Sequence, residues 1–446
     1  MEESGSAGEG GVKNDSKVLP KKIWTFFTTF LSLNLFVLDI GLDIWAAVKL
    51  FEEGSYWSLS VLLVLLIGSA VLTHIYSWLW YTYDEFEILT YLEETLRSYL
   101  RGFHFFLFGI HVRHAAIVTA SVQNFYHKSS GLESVIRYRK QDLRILRIFE
   151  SYSESAPQVV LMLTLALRQE RWIPKLLTAL KTLVSLASIA LSELRYYHSL
   201  TSYIPKDTED TCCFCFVKGF QYFFYFMWKL LLVSCRLVAL ALFASVEPCF
   251  IFTHFLCFWL VLFYFASYSE THFMKSPRGK WLFRSTLGLI WYFSWFSGVV
   301  KGKTTKRMLF YHFFMLLDVC ALCGMWYWRM SLDPPSIEIS CVKVAVTAAV
   351  IPACYVCGLL LKAYYFLALH PKCDLNSESD EVEGNTTGTQ TGNKGKSNFK
   401  EKQKYLRYLL TGDEKYADCL KLDDGESSQK QVENLRMKEL AQSFYT

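Results

Sequence analysis

Long apolar runs separated by short polar segments make up most of this chain. Eight runs are long enough to cross a bilayer core of about 30 Å, which takes about 20 residues in an α-helix. Their approximate bounds are 23–49, 57–80, 142–167, 172–194, 219–244, 248–268, 308–328 and 342–368. A segment inside a bilayer must satisfy its own backbone hydrogen bonds, so we expect each run to be a membrane-spanning α-helix.

Two further apolar segments are too short or too polar for a full crossing. Phe103–Ala120 is interrupted by charged and imidazole side chains, among them His104 and Arg113, and Trp281–Val300 is its counterpart later in the chain. Both are predicted to be half-inserted. The order of two spans, one short segment and two spans therefore occurs twice, a weak internal repeat of hydropathy. The predicted fold is an all-α polytopic membrane protein with eight transmembrane helices plus two half-inserted helices in two pseudo-symmetric halves.

The same pattern divides the chain into five regions. They are a disordered cytosolic N-terminus (1–22), a first membrane repeat (23–194), a cytosolic connection (195–218), a second membrane repeat (219–369) and a regulatory cytosolic tail (370–446). The start of the chain has no apolar segment typical of a cleaved signal peptide. Two connections are expected to be solvated because of their charge: the acidic segment Tyr83–Leu96 and the basic loop Lys128–Lys140.

The basic residues of the connections set the orientation. With both short segments entering and leaving on one face, one side of the membrane holds Lys128, Arg137, Arg139, Lys140, Lys206, Lys218, Lys275, Arg278, Lys280, Lys301, Lys303, Lys306 and Arg307. The opposite loops hold only Arg168, Arg171 and Arg329, with Lys49 and Lys343 at helix ends. Because basic loops stay in the cytosol, both termini are predicted to be cytosolic.

Composition agrees with a membrane protein. The 446 residues are 52% hydrophobic and 17% aromatic, above the apolar content of ordinary soluble domains. The net charge of +5 comes from the basic loops and does not indicate nucleic-acid binding. Most of the 13 cysteines lie in apolar runs, so they indicate no disulfide framework.

Several charged residues fall within the predicted spans: Asp39, Asp43, Glu150, Glu154, Asp318, Lys229 and Arg236. The first four form two pairs with spacing i,i+4, which places both members of a pair on one helix face. A charge at the bilayer centre costs roughly 2.5–3.5 kcal/mol on insertion scales. Two interpretations remain open: structural ion pairs that fix helix register, or a polar path for an ion, a solute or a lipid headgroup.

Catalytic chemistry finds no support in the sequence. No phosphate-binding loop, nucleophile elbow or His-Glu-x-x-His motif occurs, so we expect neither an enzyme nor a cofactor or metal site. Cys212, Cys213 and Cys215 lie beside the fifth span on the predicted cytosolic side. They are candidates for S-palmitoylation, with reduced thiols as the alternative.

Five motifs resemble the XK-related membrane protein family. They are Asp39-Ile-Gly-Leu-Asp-Ile-Trp-Ala-Ala-Val48, Arg147-Ile-Phe-Glu-Ser-Tyr-Ser-Glu-Ser-Ala-Pro-Gln158, Tyr292-Phe-Ser-Trp-Phe296, His370-Pro371 and the tail piece Arg436–Phe444. The resemblance implies a phospholipid scramblase that exposes phosphatidylserine at the plasma membrane, commonly in apoptosis. It implies that a stair of buried charges guides lipid headgroups, at positions matching Asp39, Asp43, Glu150, Glu154, Arg236 and Asp318. One further charged family position falls on Arg195, near Glu193.

The resemblance also implies regulation and partners. Close relatives are activated when a caspase removes the C-terminal tail, which predicts an autoinhibitory tail here. Asp380-Glu-Val-Glu-Gly384 has Glu383 where caspases require Asp, so Asp380 itself, Asp424 and Asp210 are the other candidate cleavage positions. Phosphorylation of the tail is the alternative trigger.

Two kinds of protein partner are expected on the same basis. One is a single-span immunoglobulin-like chaperone subunit, with Cys341 as a candidate for a covalent link, and the other is a caspase. Nucleic acid is not expected as a partner. The competing interpretations of the whole chain are a solute transporter and a non-transporting membrane scaffold for a partner chain.

Overall fold

The computed structural model describes residues 40–86, 90–126, 130–168, 172–201, 212–268, 273–296, 304–332 and 341–369, together with Phe30, Val37, Leu38 and Met437. Over these residues the chain is helical, with short turns between helices and no β-strand. The prediction of an all-α protein is therefore confirmed.

Thirteen helices are numbered in chain order over the described residues. They are α1 (40–52), α2 (Tyr56–Tyr83), α3 (Tyr91–Thr95), α4 (Leu100–Phe105), α5 (Gly109–Tyr126), α6 (Ser130–Glu150), α7 (Ala156–Arg168), α8 (Trp172–Thr201), α9 (Cys212–Val246), α10 (Phe250–Ser267), α11 (Pro277–Phe293), α12 (Thr304–Leu332) and α13 (Cys341–Tyr364). Two π-helical turns, Ser151–Ser155 and Tyr365–Leu369, follow α6 and α13.

Five of the described helical segments are long and apolar enough to cross a membrane. They are Tyr56–Tyr83, Gly219–Val246, Phe250–Ser267, Lys306–Leu332 and Val342–Ala368. These segments coincide with the predicted second, fifth, sixth, seventh and eighth spans, so the chain is a multi-pass α-helical membrane protein. The full count of eight spans plus two half-inserted helices stays a prediction.

The predicted third span is part of a longer helical segment. The segment continues from α6 through the π-turn Ser151–Ser155 into α7. The expectation of a loop over Lys128–Lys140 is wrong from Ser130 onward, because this stretch is amphipathic. Leu132, Val135 and Ile136 recur at helical spacing and are buried.

The first short apolar segment forms two helices rather than one. Helix α4 ends at Phe105 and α5 begins at Gly109, with Leu107 between them at φ 61° in the left-handed region. Gly109 lies against the ring of His104, and a Cβ atom at this position would be 2.5 Å from the ring. Only glycine fits here without a shift of that ring.

The acidic segment after α2 is not wholly solvated, which corrects the sequence prediction. Glu93 has no exposed surface, and it forms a capping box with Thr90 at the start of α3. Its carboxylate also accepts a hydrogen bond from Tyr81 and lies 3.4 Å from Arg139 Nε. Glu94, by contrast, is exposed as expected.

The described residues fall into two compact units. One contains those between 30 and 49 and between 74 and 143, and the other contains those between 50 and 73, those between 144 and 369, and Met437. At the centre of the second unit, α9 packs against α7, α8, α12 and α13.

The second unit shows a reversed distribution of polar and apolar side chains. Large apolar residues of α10 such as Leu256, Leu260 and Val261 are half-exposed, while Lys229 and Arg236 of α9 are almost completely buried. In a soluble protein the exposed face would be polar. This reversal is what a bilayer requires, since charges inside it are turned toward the protein interior.

Candidate functional site: buried charges on the membrane helices

Helix α9 carries two cations on one face. Lys229 and Arg236 are seven residues apart, close to two helical turns, and their exposed fractions are 2% and 1%. A buried unpaired charge is costly, so each cation needs partners on neighbouring helices.

Arg236 is held by an acid and a carbonyl group. Its guanidinium forms a salt bridge with Asp318 of α12, and its Nε donates a hydrogen bond to the Tyr292 carbonyl oxygen at 3.2 Å. His254 of α10 lies 3.2 Å from Asp318 Oδ1 through Nε2 and 2.9 Å from the Tyr292 hydroxyl through Nδ1. Four helices, α9 to α12, therefore meet at one ionic cluster, with Asp318 10% exposed.

Lys229 pairs with Glu193, which the sequence analysis mentions only because it lies near Arg195. Glu193 of α8 lies 3.2 Å from Lys229 Nζ and also accepts a hydrogen bond from the Tyr152 hydroxyl at 2.7 Å. The ammonium further donates to Ser294 Oγ at 3.3 Å and to the Trp295 carbonyl oxygen at 2.9 Å. Both residues follow the end of α11, so this ion pair ties α8 and α9 to the C-terminus of α11.

Lys362 of α13 is a buried cation that sequence reasoning missed. Its exposed fraction is 4%, and its Nζ lies 2.6 Å from His312 Nε2 of α12. His312 Nδ1 in turn lies 3.2 Å from the Tyr355 hydroxyl. The signal that could have found it is a lysine within the predicted span 342–368.

The two glutamates of the sequence motif lie at a π-helical turn. Glu150 pairs with Arg147 at 2.9 Å and keeps 20% of its side chain exposed, whereas Glu154, inside the turn, is 8% exposed. The neighbouring Ser153 donates a hydrogen bond to Ser69 at 2.7 Å. Single π-turns within α-helices often mark functional sites, because they change the direction of side chains relative to the preceding turn.

Among the positions of the predicted stair, Arg236 and Asp318 are in direct contact. Glu150 pairs with Arg147 of its own helix. Asp43 is buried on α1, and Asp39 lies outside the described residues. The sequence-derived assignment of these positions to one path remains a prediction.

A second ionic cluster lies in the other unit. Arg113 of α5 lies 3.4 Å from Asp142 and donates to Ser77 Oγ at 2.7 Å, while Arg139 lies 3.9 Å from the same aspartate. Both guanidinium groups lie over the Tyr81 ring, at 3.9 and 4.9 Å. Arg139 was expected on a solvated loop, yet it is 1% exposed. Together with Glu93 the cluster contains two cations and two carboxylates. Its formal charges therefore balance, as expected of buried ion pairs with a structural role.

The remaining candidate residues are the possible cleavage positions, the cysteines and Arg195. Asp380, Asp424 and Asp210 lie outside the described residues. Cys212, Cys213, Cys215 and Cys341 lie in helices whose backbone alone is described at these positions, and Arg195 of α8 is half-buried. Within the part of the chain that the structure describes, no three His, Cys, Asp or Glu side chains converge as a metal site would require.

Apolar outward-facing helices around buried ion pairs define the class of this protein, a multi-pass α-helical membrane protein. A family model described as XK-related protein matches residues 27–371, about three quarters of the chain. The chain belongs to the XK-related family.

Curated relatives support the same assignment. The chain is 33% identical over 354 residues to XK-related protein 8 of Tetraodon nigroviridis, covering 78% of this chain and 83% of the relative. It is 33% identical over 347 residues to XK-related protein 8 of Gasterosteus aculeatus, covering 76% and 81%. It is also 30% identical over 358 residues to XK-related protein 8 of Pan troglodytes, covering 78% and 85%.

Proposed function

We propose that this protein is an ATP-independent phospholipid scramblase that exposes phosphatidylserine at the plasma membrane. Family membership and the sequence motifs support this assignment. The observation that carries it is the set of buried ion pairs, Arg236–Asp318 and Lys229–Glu193, on helices that present large apolar side chains outward. Such helices offer charge to a headgroup and hydrocarbon to its acyl chains.

The chemistry of the headgroup matches these pairs. Phosphatidylserine carries a phosphate, a carboxylate and an ammonium group, and an ion pair offers a partner of each sign. A headgroup that exchanges partners with Arg236 and Asp318 avoids part of the cost of crossing hydrocarbon, roughly 2.5–3.5 kcal/mol for a bare charge. Two further acceptors for the ammonium group are Glu150, which is 20% exposed, and Glu154, which is buried within the π-turn.

Control by the C-terminal tail is part of the proposal. Met437, the tail residue that the structure describes, has no exposed surface. A tail that docks through this residue would restrain the body until it is released. Cleavage at Asp380 or Asp424 would separate Met437 from the membrane helices, whereas cleavage at Asp210 would cut between α8 and α9. A caspase or a kinase would supply the trigger.

Removal of the tail should switch the protein on. We expect a chain ending after His370 to exchange a fluorescent phospholipid between leaflets of proteoliposomes at least tenfold faster than the intact chain, a difference of about 1.4 kcal/mol in barrier. The assay is dithionite quenching of the outer-leaflet probe, with protein-free liposomes as the control. Equal slow exchange by both forms, each shown to be folded, would favour a solute transporter or a scaffold for a partner such as an immunoglobulin-like chaperone.

Neutralising the two π-turn acids should slow lipid exchange. In the truncated chain, Glu150→Gln with Glu154→Gln is expected to reduce the rate about tenfold, because the headgroup ammonium loses charged acceptors worth about 1.4 kcal/mol. The matched control is Glu133→Gln, an exposed carboxylate of α6 that pairs with Arg137 at 3.3 Å. Unchanged exchange in the double variant, with normal expression, would remove these residues from the path.

A further inference from the structure

A small cavity lies within the second unit, and Lys229 donates a hydrogen bond to Ser294 of its lining. Trp228 of α9, Ser294 after α11, His312 of α12 and Tyr355 of α13 are among its lining residues. Its volume is about 10 Å³, close to the space that one water molecule occupies. The cavity is therefore large enough for one small occupant.

The charges around this cavity do not balance. Lys229 and Lys362 place their ammonium groups 5.1 and 5.0 Å from the centre of the same Trp228 ring. Lys229 has Glu193 as its counterion, but in the described part of the chain Lys362 contacts only His312 Nε2 and the face of Trp228. Among these described contacts the two buried lysines therefore have one carboxylate, and it lies beside Lys229.

One hydroxyl of the lining keeps a hydrogen to donate. The Ser294 hydroxyl does not, because it accepts from Lys229 and is itself hydrogen-bonded to Tyr152. Lys362 can only donate to His312 Nε2, which places the imidazole hydrogen on Nδ1 and directs it to the Tyr355 oxygen. The Tyr355 hydroxyl hydrogen is then left for another acceptor.

Trp228 supplies the second donor. Its Nε1 is buried and has no hydrogen-bond partner among the described residues. A buried N–H without an acceptor is rare in native structures and costs roughly 1–3 kcal/mol. The Tyr355 hydroxyl is moreover polarised by the Lys362 ammonium group through His312.

We propose that this cavity binds one small monovalent anion of the halide class, chloride under physiological conditions. An anion accepts from both donors and lies close to the Lys362 ammonium group, whereas a water molecule would bring two hydrogens that need acceptors of their own. A space of this size suits an ion of one atom and not phosphate, which has five heavy atoms. The site is separate from the Arg236–Asp318 cluster and does not depend on the proposed scrambling activity.

The test is the effect of halide on the thermal stability of the full-length protein in detergent. At constant ionic strength, replacing gluconate by chloride or bromide should raise the apparent Tm saturably by roughly 2–4 °C, because a ligand that binds only the folded state stabilises it. Inorganic phosphate should give no such rise. Equal Tm values in halide and gluconate would overturn the proposal and assign the cavity to water.

Two variants locate the effect. Lys362→Met should abolish the halide-dependent rise, while Lys343→Met, an exposed lysine of the same helix α13, should retain it. Trp228→Phe should raise the halide concentration at the midpoint roughly tenfold or more, since it keeps the ring but removes one hydrogen bond to a charged ligand. A halide effect that persists unchanged in folded Lys362→Met protein would contradict this site.

A direct measurement covers the case in which Lys362→Met does not fold. Crystals of the unmodified protein grown in bromide should show an anomalous peak between Trp228 and Ser294. If bromide is the halide of the crystallisation solution and no such peak is present, the proposal is overturned.

Discussion

Replacing Glu193 by Gln should lower the apparent Tm of the full-length protein by on the order of 10 °C, because breaking a buried pair costs roughly 3–5 kcal/mol. The substitution keeps the shape of the side chain and removes the counterion of Lys229, which lies 3.2 Å away. Lys229 and Lys362 would then be two buried cations beside one ring with no carboxylate among their described contacts. Thermal unfolding in detergent, followed by light scattering or intrinsic fluorescence, measures the loss.

Two further variants separate charge from packing at this position. Glu193→Gln combined with Lys229→Met should recover most of the lost stability, since removing both charges leaves no unpaired partner. The control is Glu247→Gln, whose carboxylate pairs with Arg329 at 3.6 Å but is about one third exposed. Exposed pairs contribute roughly 0–1 kcal/mol, so this variant should unfold close to the wild-type temperature. A Glu193→Gln protein as stable as Glu247→Gln would refute the role given to this ion pair.

The Arg236–Asp318 pair should respond asymmetrically to loss of either partner. Asp318→Asn leaves a guanidinium that is 1% exposed and cannot release its proton, with the Tyr292 carbonyl as its remaining acceptor. Arg236→Met leaves a carboxylate that is 10% exposed, still bonded to His254, and able to take up a proton. We therefore expect Asp318→Asn to cost about 3–5 kcal/mol and Arg236→Met distinctly less.

A double-mutant cycle measures this asymmetry. Arg236→Met combined with Asp318→Asn should be more stable than Asp318→Asn alone, with an interaction energy of roughly 1–3 kcal/mol. Additive effects of the two substitutions would show that the two side chains are not coupled. Scrambling by the same variants in the truncated chain then tests whether the pair, beyond its structural role, also contacts the headgroup.

The hydropathy pattern was sufficient for the class of protein and for most spans. Five predicted spans coincide with described helices that meet the length and composition of a membrane crossing. The pattern is insufficient between spans, because charge alone does not distinguish a solvated segment from one that packs through ion pairs. Arg139 and Glu93 are buried against one another because an amphipathic helix and a capping box place them in a packed interior.

The sequence by itself determined the all-helical membrane architecture and the presence of charges inside it. Both follow from local quantities, the length of apolar runs and the identity of single residues. Whether a segment can span a bilayer depends mainly on its own length and polarity. Only the tertiary structure decided which charges meet. Asp318 reaches Arg236 across 82 residues of sequence, and His312 reaches Lys362 across 50. Such partners are chosen by helix packing, in which each buried charge must find one of the few groups that can satisfy it.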